Sequence, residues 1–241
     1  MLKGGLLVLL CFILSCKDGL FDGGIETKRE IMIDQSFSSI EIKNTFDIVL
    51  VQDTVNKALV TCGKNLQSYV SVGVENNVLM LDQDTKFKWS RKYERIKLEL
   101  HLTEAPTIKA DEPINLKSKG VLKGDKFILN NSAIVNEVDV NLDVRYCGIF
   151  MVSDNAGYFK IKGKCYSAYL EGWGSCQVRA DSLVVSNDCY IEHRGMGDVY
   201  VNAVSLLSAS IEFTGNVYYT GHPTQIIVNR KSTGQLINLD N

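Results

Sequence analysis

The sequence predicts an all-β protein folded as a right-handed parallel β-helix, with little or no α-helix. A phrase of glycine, two apolar residues two positions apart and a closing small residue recurs through the C-terminal half. Its copies are about 19 residues apart on average and begin at residues 120, 136, 157, 174, 197, 215 and 234. Repeats of about this length are typical of solenoids. Between residues 37 and 83 no apolar stripe has helical spacing.

The two apolar positions of each copy explain why the repeats should stack. Positions two apart share one face of a strand, as in the pairs Phe159/Ile161 and Val199/Val201. One such strand cannot bury that face, whereas parallel copies about 4.8 Å apart form a continuous apolar column. The glycine is expected to form the corner, and strand–loop–strand connections favour the right-handed form. A leucine-rich repeat and a β-sandwich are the rival architectures.

The N-terminal segment is predicted to be the export signal of a lipoprotein. Lys3 provides a positive charge, and the apolar run that follows is shorter than the roughly 20 residues that span a bilayer. The run ends at Ser15 and Cys16, which resembles a bacterial lipobox. We therefore expect residues 1–15 to be a signal peptide and Cys16 to carry the lipid that binds a membrane. An ordinary secretory signal or a buried apolar strand is the alternative.

Domain boundaries follow from local composition. Residues 16–30 are polar and glycine-rich and are predicted to be a flexible tether. Residues 31–241 are predicted to form a single β-helix domain, with longer irregular strands over 31–119 and regular rungs over 120–241. The pair Lys17-Asp18 resembles the surface-export signal of Bacteroidetes lipoproteins. The expected location is therefore the outer membrane or cell surface of a bacterial envelope, with the membrane face left open.

Composition and cysteine spacing exclude some function classes. The formal net charge is −2, so nucleic acid is not expected as a partner. Five cysteines follow Cys16, and no pair has the Cys-x-x-Cys spacing of a structural zinc site. Packed free thiols are expected, with a disulfide between Cys165 and Cys189 as the alternative. No metal and no cofactor are expected.

One segment, residues 84–95, interleaves basic and aromatic residues. Aromatic rings stack and cations pair with acidic groups, so this segment is a candidate contact loop for anionic lipid or glycan. The alternative is a solvated hairpin with one aromatic side chain packed on the body. The candidate contact residues are Lys86, Lys88, Trp89, Arg91 and Lys92.

The middle position of each repeat points outward, and successive copies should align these residues in a ladder. Tyrosine beside polar and basic residues is typical of sugar-binding and protein-binding surfaces, although tyrosine is also favoured on any β surface. We therefore predict a ligand strip for a glycan or a protein. Its candidate residues are Lys160, Gln177, Tyr200 and Tyr218, with Trp173 at a nearby corner.

The sequence contains no residue to which we assign a catalytic role. Its three histidines form no Ser-His-Asp set and no metal-binding pair, and each is expected to be exposed. Parallel β-helices can carry polysaccharide lyases and hydrolases, which use clustered carboxylates. Glu171, Glu192 and Glu212 recur ahead of the corners and could form such a column. Outward orientation into water is the preferred interpretation.

Several motifs together resemble a known family. They are the lipobox, the opening Phe37-Ser38-Ser39-Ile40, the corners Gly172-Trp173-Gly174 and Gly195-Met196-Gly197, and the ending Val217-Tyr218-Tyr219-Thr220-Gly221-His222-Pro223. Over residues 31–240 the chain resembles the head GIN domain family of auto-transporter adhesins, a domain of unknown function common in Bacteroidetes lipoproteins. The resemblance implies a right-handed parallel β-helix and no established activity.

We therefore expect a lipid-anchored, non-enzymatic envelope protein with adhesin-like binding of glycan or protein surfaces. One alternative is a polysaccharide lyase or hydrolase built on a β-helix. The other is a structural or signalling component of the envelope, which would self-associate through an open end of the helix.

Overall fold

A computed structural model describes residues 23–84, 95–151 and 154–240 of the chain. It is an all-β solenoid of about six turns, with 67% strand and 3% helix, and its parallel bridges join residues about 21 positions apart. The predicted fold class is therefore confirmed, with slightly longer turns than the predicted 19-residue step. Within the described ranges, no helix is long and apolar enough to cross a membrane.

The described chain contains eighteen strands and one short 3-10 helix, Lys64–Tyr69. The strands are β1 Glu26–Met32, β2 Ser39–Ile42, β3 Asp47–Gln52, β4 Lys57–Gly63, β5 Val70–Glu75, β6 Val78–Gln83, β7 Lys97–Leu102, β8 Thr107–Ala110, β9 Asn115–Asn131, β10 Glu137–Met151, β11 Tyr158–Gly174, β12 Gln177–Val185, β13 Asp188–Gly195, β14 Val199–Ala203, β15 Leu206–Ile211, β16 Val217–Thr220, β17 Gln225–Arg230 and β18 Leu236–Asn238.

The strands stack in two main columns of parallel pairs. One column, which we call the first column, runs through β3, the first halves of β9 to β11, and then β12, β14, β16 and β18. The second column runs through β2, β8, the second halves of β9 to β11, and then β13, β15 and β17. Each rung thus contributes one strand or half-strand to each column.

The core lies between the columns and is built by the predicted apolar positions. Phe159 is in register with Val178, Val178 with Val199, and Val199 with Val217, and all four side chains have no solvent exposure. Burying one such side chain contributes about 1.5–3 kcal/mol. Because each rung buries the apolar face of its neighbours, removing one large residue affects the rungs on both sides.

The predicted alignment of the copy that begins at Gly174 is wrong by two residues. Val178, and not Cys176, is the register neighbour of Phe159. Gly174 lies beside Asn155 and Gly195, and Cys176 occupies the corner position that is glycine in the flanking copies. The error arose because this corner residue is a cysteine. The nearest glycine, Gly174, was therefore taken as the start of the repeat.

The N-terminal end of the solenoid is covered by antiparallel strands. Strand β1 pairs with β4, β4 pairs with β7, and β5 pairs with β6. Residues 26–30, which were expected to belong to a flexible tether, form most of β1. This part of the prediction is wrong because alternate residues of the segment bond to the domain: Thr27 Oγ1 donates to the Cys62 carbonyl at 3.3 Å and Arg29 donates to the Val70 carbonyl at 2.7 Å.

Parallel rungs also begin earlier in the chain than residue 120. Strand β2 lies between β6 and β8, and β3 lies between β7 and β9. The rung formed by β2 and β3 therefore lies between the rung formed by β6 and β7 and the rung formed by β8 and β9, although both of those rungs come later in the chain. The irregular strands over 31–119 are part of the same solenoid.

The C-terminal end of the solenoid is open among the described residues. Ile226 and Val228 continue the inward columns of Leu207 and Ala209, yet they are 43% and 45% exposed because the structure describes no further rung over them. Arg230 occupies the next inward position of β17, beside buried Ile211. An inward-facing charge at a sheet edge discourages pairing with another chain. Self-association through this end stays a prediction.

All five described cysteines are free and buried, so the expectation of packed thiols is confirmed. The alternative of a disulfide between Cys165 and Cys189 is wrong, since both side chains pack as thiols in the apolar interior. Burial raises the pKa of the Cys165 thiol to about 12 and that of Cys176 to about 11. These thiols are therefore protonated and unreactive at neutral pH.

Candidate functional site

Three of the residues predicted for the ligand strip are brought together on the outer face of the first column. In the register of neighbouring rungs, Lys160 lies beside Arg179, Arg179 beside Tyr200, and Tyr200 beside Tyr218. We call these four residues the tyrosine ladder. Gln177 is paired with Tyr158 instead, two residues away, and its place is taken by Arg179. The two-residue error at Gly174 is why the sequence pointed to Gln177 and missed the arginine.

Three of the four ladder side chains, Arg179, Tyr200 and Tyr218, stack on one another. The Arg179 guanidinium carbon lies 4.0 Å from the centroid of the Tyr200 ring. The rings of Tyr200 and Tyr218 are stacked, with centroids 4.7 Å apart and planes 11° apart. Stacked rings and cation–π contacts each contribute about 0.5–1.5 kcal/mol beyond simple burial. The ladder is therefore an ordered surface.

Charged and polar neighbours fix the arginine and the terminal tyrosine. Arg179 donates to Asp181 at 3.0 and 3.3 Å, and this pairing lowers the pKa of the Asp181 carboxyl. The Tyr218 hydroxyl accepts a hydrogen bond from the Asn216 side chain at 3.3 Å. Burial raises the pKa of the Tyr200 hydroxyl, which therefore stays a neutral hydrogen-bond donor in neutral solution.

The stacking decides which part of each ring a ligand can reach. One face of Tyr200 is covered by Arg179 and the other by Tyr218, so its ring edge and hydroxyl face solvent. Sugar rings bind aromatic side chains through their faces, as stacking requires. The ladder instead presents ring edges, hydroxyl groups and a guanidinium group. These groups suit binding to a flat protein surface that has its own hydrogen-bonding groups.

Trp173 does not belong to the ladder. It lies at the end of β11 in the second column, where it is in register with Arg194. The Arg194 guanidinium carbon is 5.4 Å from the centroid of the Trp173 ring. Trp173 was expected at a corner near the strip, and it lies just before the corner that joins β11 to β12.

The glutamates expected near the corners form a column in part. Glu171 is in register with Glu192. Glu212 lies outside that register, and its carboxylate oxygens are 3.5 Å from a nitrogen of Arg194 and 2.9 Å from Nζ of Lys231. The lysine lowers the pKa of the Glu212 carboxyl. The preferred interpretation of simple outward exposure is therefore incomplete, because Glu192 and Glu212 are ion-paired and only Glu171 is without a cation among the described side chains.

The histidines differ from the exposure expected of them. His193 is fully buried, and its Nδ1 lies 3.2 Å from the carbonyl oxygen of Gly172. His101 bridges two carboxylates, with Nδ1 2.6 Å from Asp53 and Nε2 2.9 Å from Glu99. The sequence does contain a signal for this burial. His193 lies two residues after Ile191, so both side chains point to the inner face of β13. His222 is exposed as expected.

Some predicted residues lie outside the described part of the chain. They are Cys16 and the signal peptide, and the candidate contact loop with Lys86, Lys88, Trp89, Arg91 and Lys92. Across residues 23–84, 95–151 and 154–240, no group of three or more histidine, cysteine, aspartate or glutamate side chains could hold a metal ion.

Comparison with known proteins identifies relatives of this solenoid. A family model described as "Putative auto-transporter adhesin, head GIN domain" matches residues 36–223, well over half of the chain. No curated protein matches the sequence.

Crystal structures of three proteins share the fold. A "putative adhesin" from Bacteroides fragilis NCTC 9343 is 20% identical, with a TM-score of 0.76 over 89% of this chain and 97% of that chain. A "putative adhesin" from Parabacteroides distasonis ATCC 8503 is 18% identical, with a TM-score of 0.62 over 90% and 98%. A "putative lipid binding protein" from the same organism is 18% identical, with a TM-score of 0.59 over 89% and 97%. At these identities the likeness shows the fold alone.

Proposed function

Because the chain belongs to the family described as "Putative auto-transporter adhesin, head GIN domain", we propose that it is a lipid-anchored, non-enzymatic binding protein of the bacterial cell envelope. Its N-terminal lipid is attached to Cys16, and its ligand surface is the tyrosine ladder. The ligand is a protein surface, with a glycan as the other class that the sequence suggested. The family and the structural neighbours named as adhesins support a location in the envelope.

The single observation that supports the ligand class is the continuous stack of Arg179, Tyr200 and Tyr218. Tyrosine and arginine are enriched among the residues that dominate protein–protein binding energy. A flat parallel ladder offers these groups at fixed spacing and with little conformational entropy left to lose. The covered ring faces of Tyr200 disfavour a glycan that must stack on it.

The first test removes the ladder. The double variant Tyr200→Ala, Tyr218→Ala is expected to weaken binding to a protein ligand by about tenfold or more, since each hot-spot side chain contributes over about 1 kcal/mol. Purified parent and variant are compared for binding to a panel of envelope and host-surface proteins and to a glycan array. Tyr166→Ala, which removes a tyrosine that is 55% exposed elsewhere on the solenoid, is the matched control.

The two panels separate the ligand classes. Binding to proteins that is lost in the double variant and kept in the control supports the proposal. If the parent binds glycans and no protein, and the double variant loses that binding, the ligand of the ladder is a glycan and not a protein. Equal binding by the parent and the double variant contradicts a ligand surface at the ladder.

The second test concerns the lipid anchor and uses intact cells. The parent is expected in the membrane fraction and open to added protease, whereas Cys16→Ala is expected in the soluble fraction because it cannot be acylated. Fractionation and protease shaving of whole cells, read by immunoblot, measure both properties. A parent that is membrane-bound but protected from protease faces the periplasm, and a soluble parent excludes the anchor.

A further inference from the structure

A small cavity lies where the starts of β2 and β8 meet the middle of β9. Its volume is about 100 Å³, and most of its lining comes from these three neighbouring strands and from the turn between β7 and β8. The opening motif Phe37-Ser38-Ser39-Ile40 forms one wall. Neither the tyrosine ladder nor the lipid anchor uses this motif. We call this space the corner cavity.

One buried hydroxyl in the wall of the corner cavity lacks a hydrogen-bond partner. Thr107 is the first residue of β8 and lines the cavity. Its Oγ1 atom is buried and bonds to no other residue that the structure describes. Buried hydroxyls are normally hydrogen-bonded, because leaving one unpaired is unfavourable. Thr107 therefore indicates that the cavity receives a polar group.

Other polar side chains around the cavity are also available for a ligand. Ser39 lies beside Thr107 on the outer face of the paired strands β2 and β8. The hydroxyls of Ser39 and Thr103 bond to no residue in the described ranges. The Oδ1 atom of Asn56 accepts the backbone N–H of Thr103 at 3.0 Å, which orients this amide and leaves its NH₂ group to donate elsewhere. The cavity thus offers hydroxyls and an amide donor at fixed positions.

Two opposite charges stand at the edge of the cavity. Glu104 and Lys126 are exposed lining residues, and neither forms an ion pair within the described part of the chain. Asp125, also at the edge, is already paired with Arg145 at 2.8 Å. The free carboxylate only accepts hydrogen bonds and the free ammonium only donates them. Because their charges balance, the edge favours an uncharged ligand.

The aromatic side chain and the size of the cavity narrow the ligand class. Phe37 is half-buried against the core, and no described ring or guanidinium stacks on it, in contrast to Tyr200. Small-molecule sites typically combine such an apolar wall with a few placed polar groups. One water needs about 10–15 Å³, so the cavity holds roughly seven to ten water-sized groups. This space suits one sugar residue.

We propose that the corner cavity binds one uncharged sugar residue of a glycan, with Phe37 against the carbon–hydrogen face of the sugar ring and Thr107 hydrogen-bonded to one of its hydroxyls. Each sugar hydroxyl donates and accepts, which matches the mixture of hydroxyl, amide, carboxylate and ammonium groups around the cavity. An extended peptide is less suited, because the cavity holds only one compact group. The site contains no residue of the tyrosine ladder and does not depend on the protein ligand proposed there.

A ligand-observed NMR titration of the purified parent protein tests this site. The probes are the methyl glycosides of glucose, galactose, mannose and N-acetylglucosamine, each titrated to about 50 mM, which detects dissociation constants in the millimolar range. Saturable binding of at least one glycoside is expected. Tetrahydropyran-2-methanol has a similar ring without the ring hydroxyls, and it is expected to bind at least about tenfold more weakly than that glycoside.

Variants assign the binding to the corner cavity. Thr107→Val replaces the hydroxyl by a methyl group of the same shape and is expected to weaken the glycoside by about tenfold. The fold should tolerate it, because it removes an unpaired buried hydroxyl. Thr233→Val, which removes an exposed hydroxyl near the C-terminal end of the solenoid, is the matched control and should bind as the parent does. The ladder variant Tyr200→Ala, Tyr218→Ala should also keep the glycoside.

Several results would overturn the proposal. Absence of saturable glycoside binding by the folded parent would leave the cavity to ordered water. Equal binding by Thr107→Val, or equal binding of tetrahydropyran-2-methanol by the parent, would exclude the hydroxyl contacts. Loss of the glycoside in the ladder variant would place the sugar at the ladder. Nα-acetyl-serine methylamide represents a peptide ligand, and tighter binding of this probe than of every glycoside would overturn the sugar. If Thr107→Val does not fold, the parent and the ladder variant decide with the same probes.

Discussion

Replacing Gly163 by alanine is expected to destabilise the solenoid by about 3 kcal/mol or more. Gly163 has a φ of +105°, which L residues other than glycine rarely adopt. A Cβ atom there would also lie 2.0 Å from the carbonyl oxygen of Leu142 on the preceding rung. The obstacle is backbone, so the neighbour cannot rotate away. The free energy of unfolding, measured by urea denaturation, checks this result.

Substitutions at three other glycines separate the effect of the positive φ from the effect of the clash between the added Cβ atom and the backbone. Gly120 has a φ of +84° but open space around it, and alanine there is expected to cost about 1–2 kcal/mol. Gly197 lacks a positive φ, but its Cβ would lie 1.8 Å from the Cys176 carbonyl oxygen, so alanine should disrupt the corner. Gly73 has neither constraint, and Gly73→Ala is the control. Equal stability of Gly163→Ala and Gly73→Ala would contradict the close packing of the rungs.

Lowering the pH from 7 to 5 is expected to destabilise the parent protein more than His193→Gln. His193 is fully buried, and its Nε2 has no hydrogen-bond partner among the described residues. Burial lowers the pKa of the His193 ring. The unfolded chain therefore takes up this proton first, near pH 6.5, and the folded state only at lower pH. The stability from the neutral ring is complete above pH 6.5 and is lost below it, by at most about 1.4 kcal/mol per pH unit.

The measurement is the difference in unfolding free energy between parent and variant at several pH values. The difference cancels contributions from the other titratable groups, which both proteins retain. His222→Gln, which removes an exposed histidine, should follow the parent. The same pH dependence in the parent and in His193→Gln would contradict a buried neutral imidazole at this corner.

Much of the fold follows from the sequence because stacking repeats a local pattern. Phe159, Val199 and Val217 have the apolar parity that a parallel rung needs, and the structure buries all three. The order of the first rungs could not be predicted, since the placement of β2 between β6 and β8 depends on long-range pairing that no local period encodes. The antiparallel strand β1 was missed for the same reason.

The candidate site was predicted in part. Tyr200 and Tyr218 were placed side by side because both follow a glycine corner at the same distance. Arg179 lies at the same distance from its own corner, but it was missed because that corner residue is Cys176 and not a glycine. The unpaired charge of Glu171 was invisible in the sequence, because it depends on which cations the neighbouring rungs bring to the other glutamates.

The position of the β2–β3 rung has a consequence for how the chain folds as it emerges. Asp47 pairs with Lys97 on one side and with Asn115 on the other, whereas Val199 pairs with Val217 only one turn later. The first hundred residues must therefore assemble together, at a large cost in loop closure, before the first rung is complete. The later turns can then add one at a time onto that template, each at a small entropic cost. We therefore expect folding of this protein to be slow at its leading end and sequential at its trailing end.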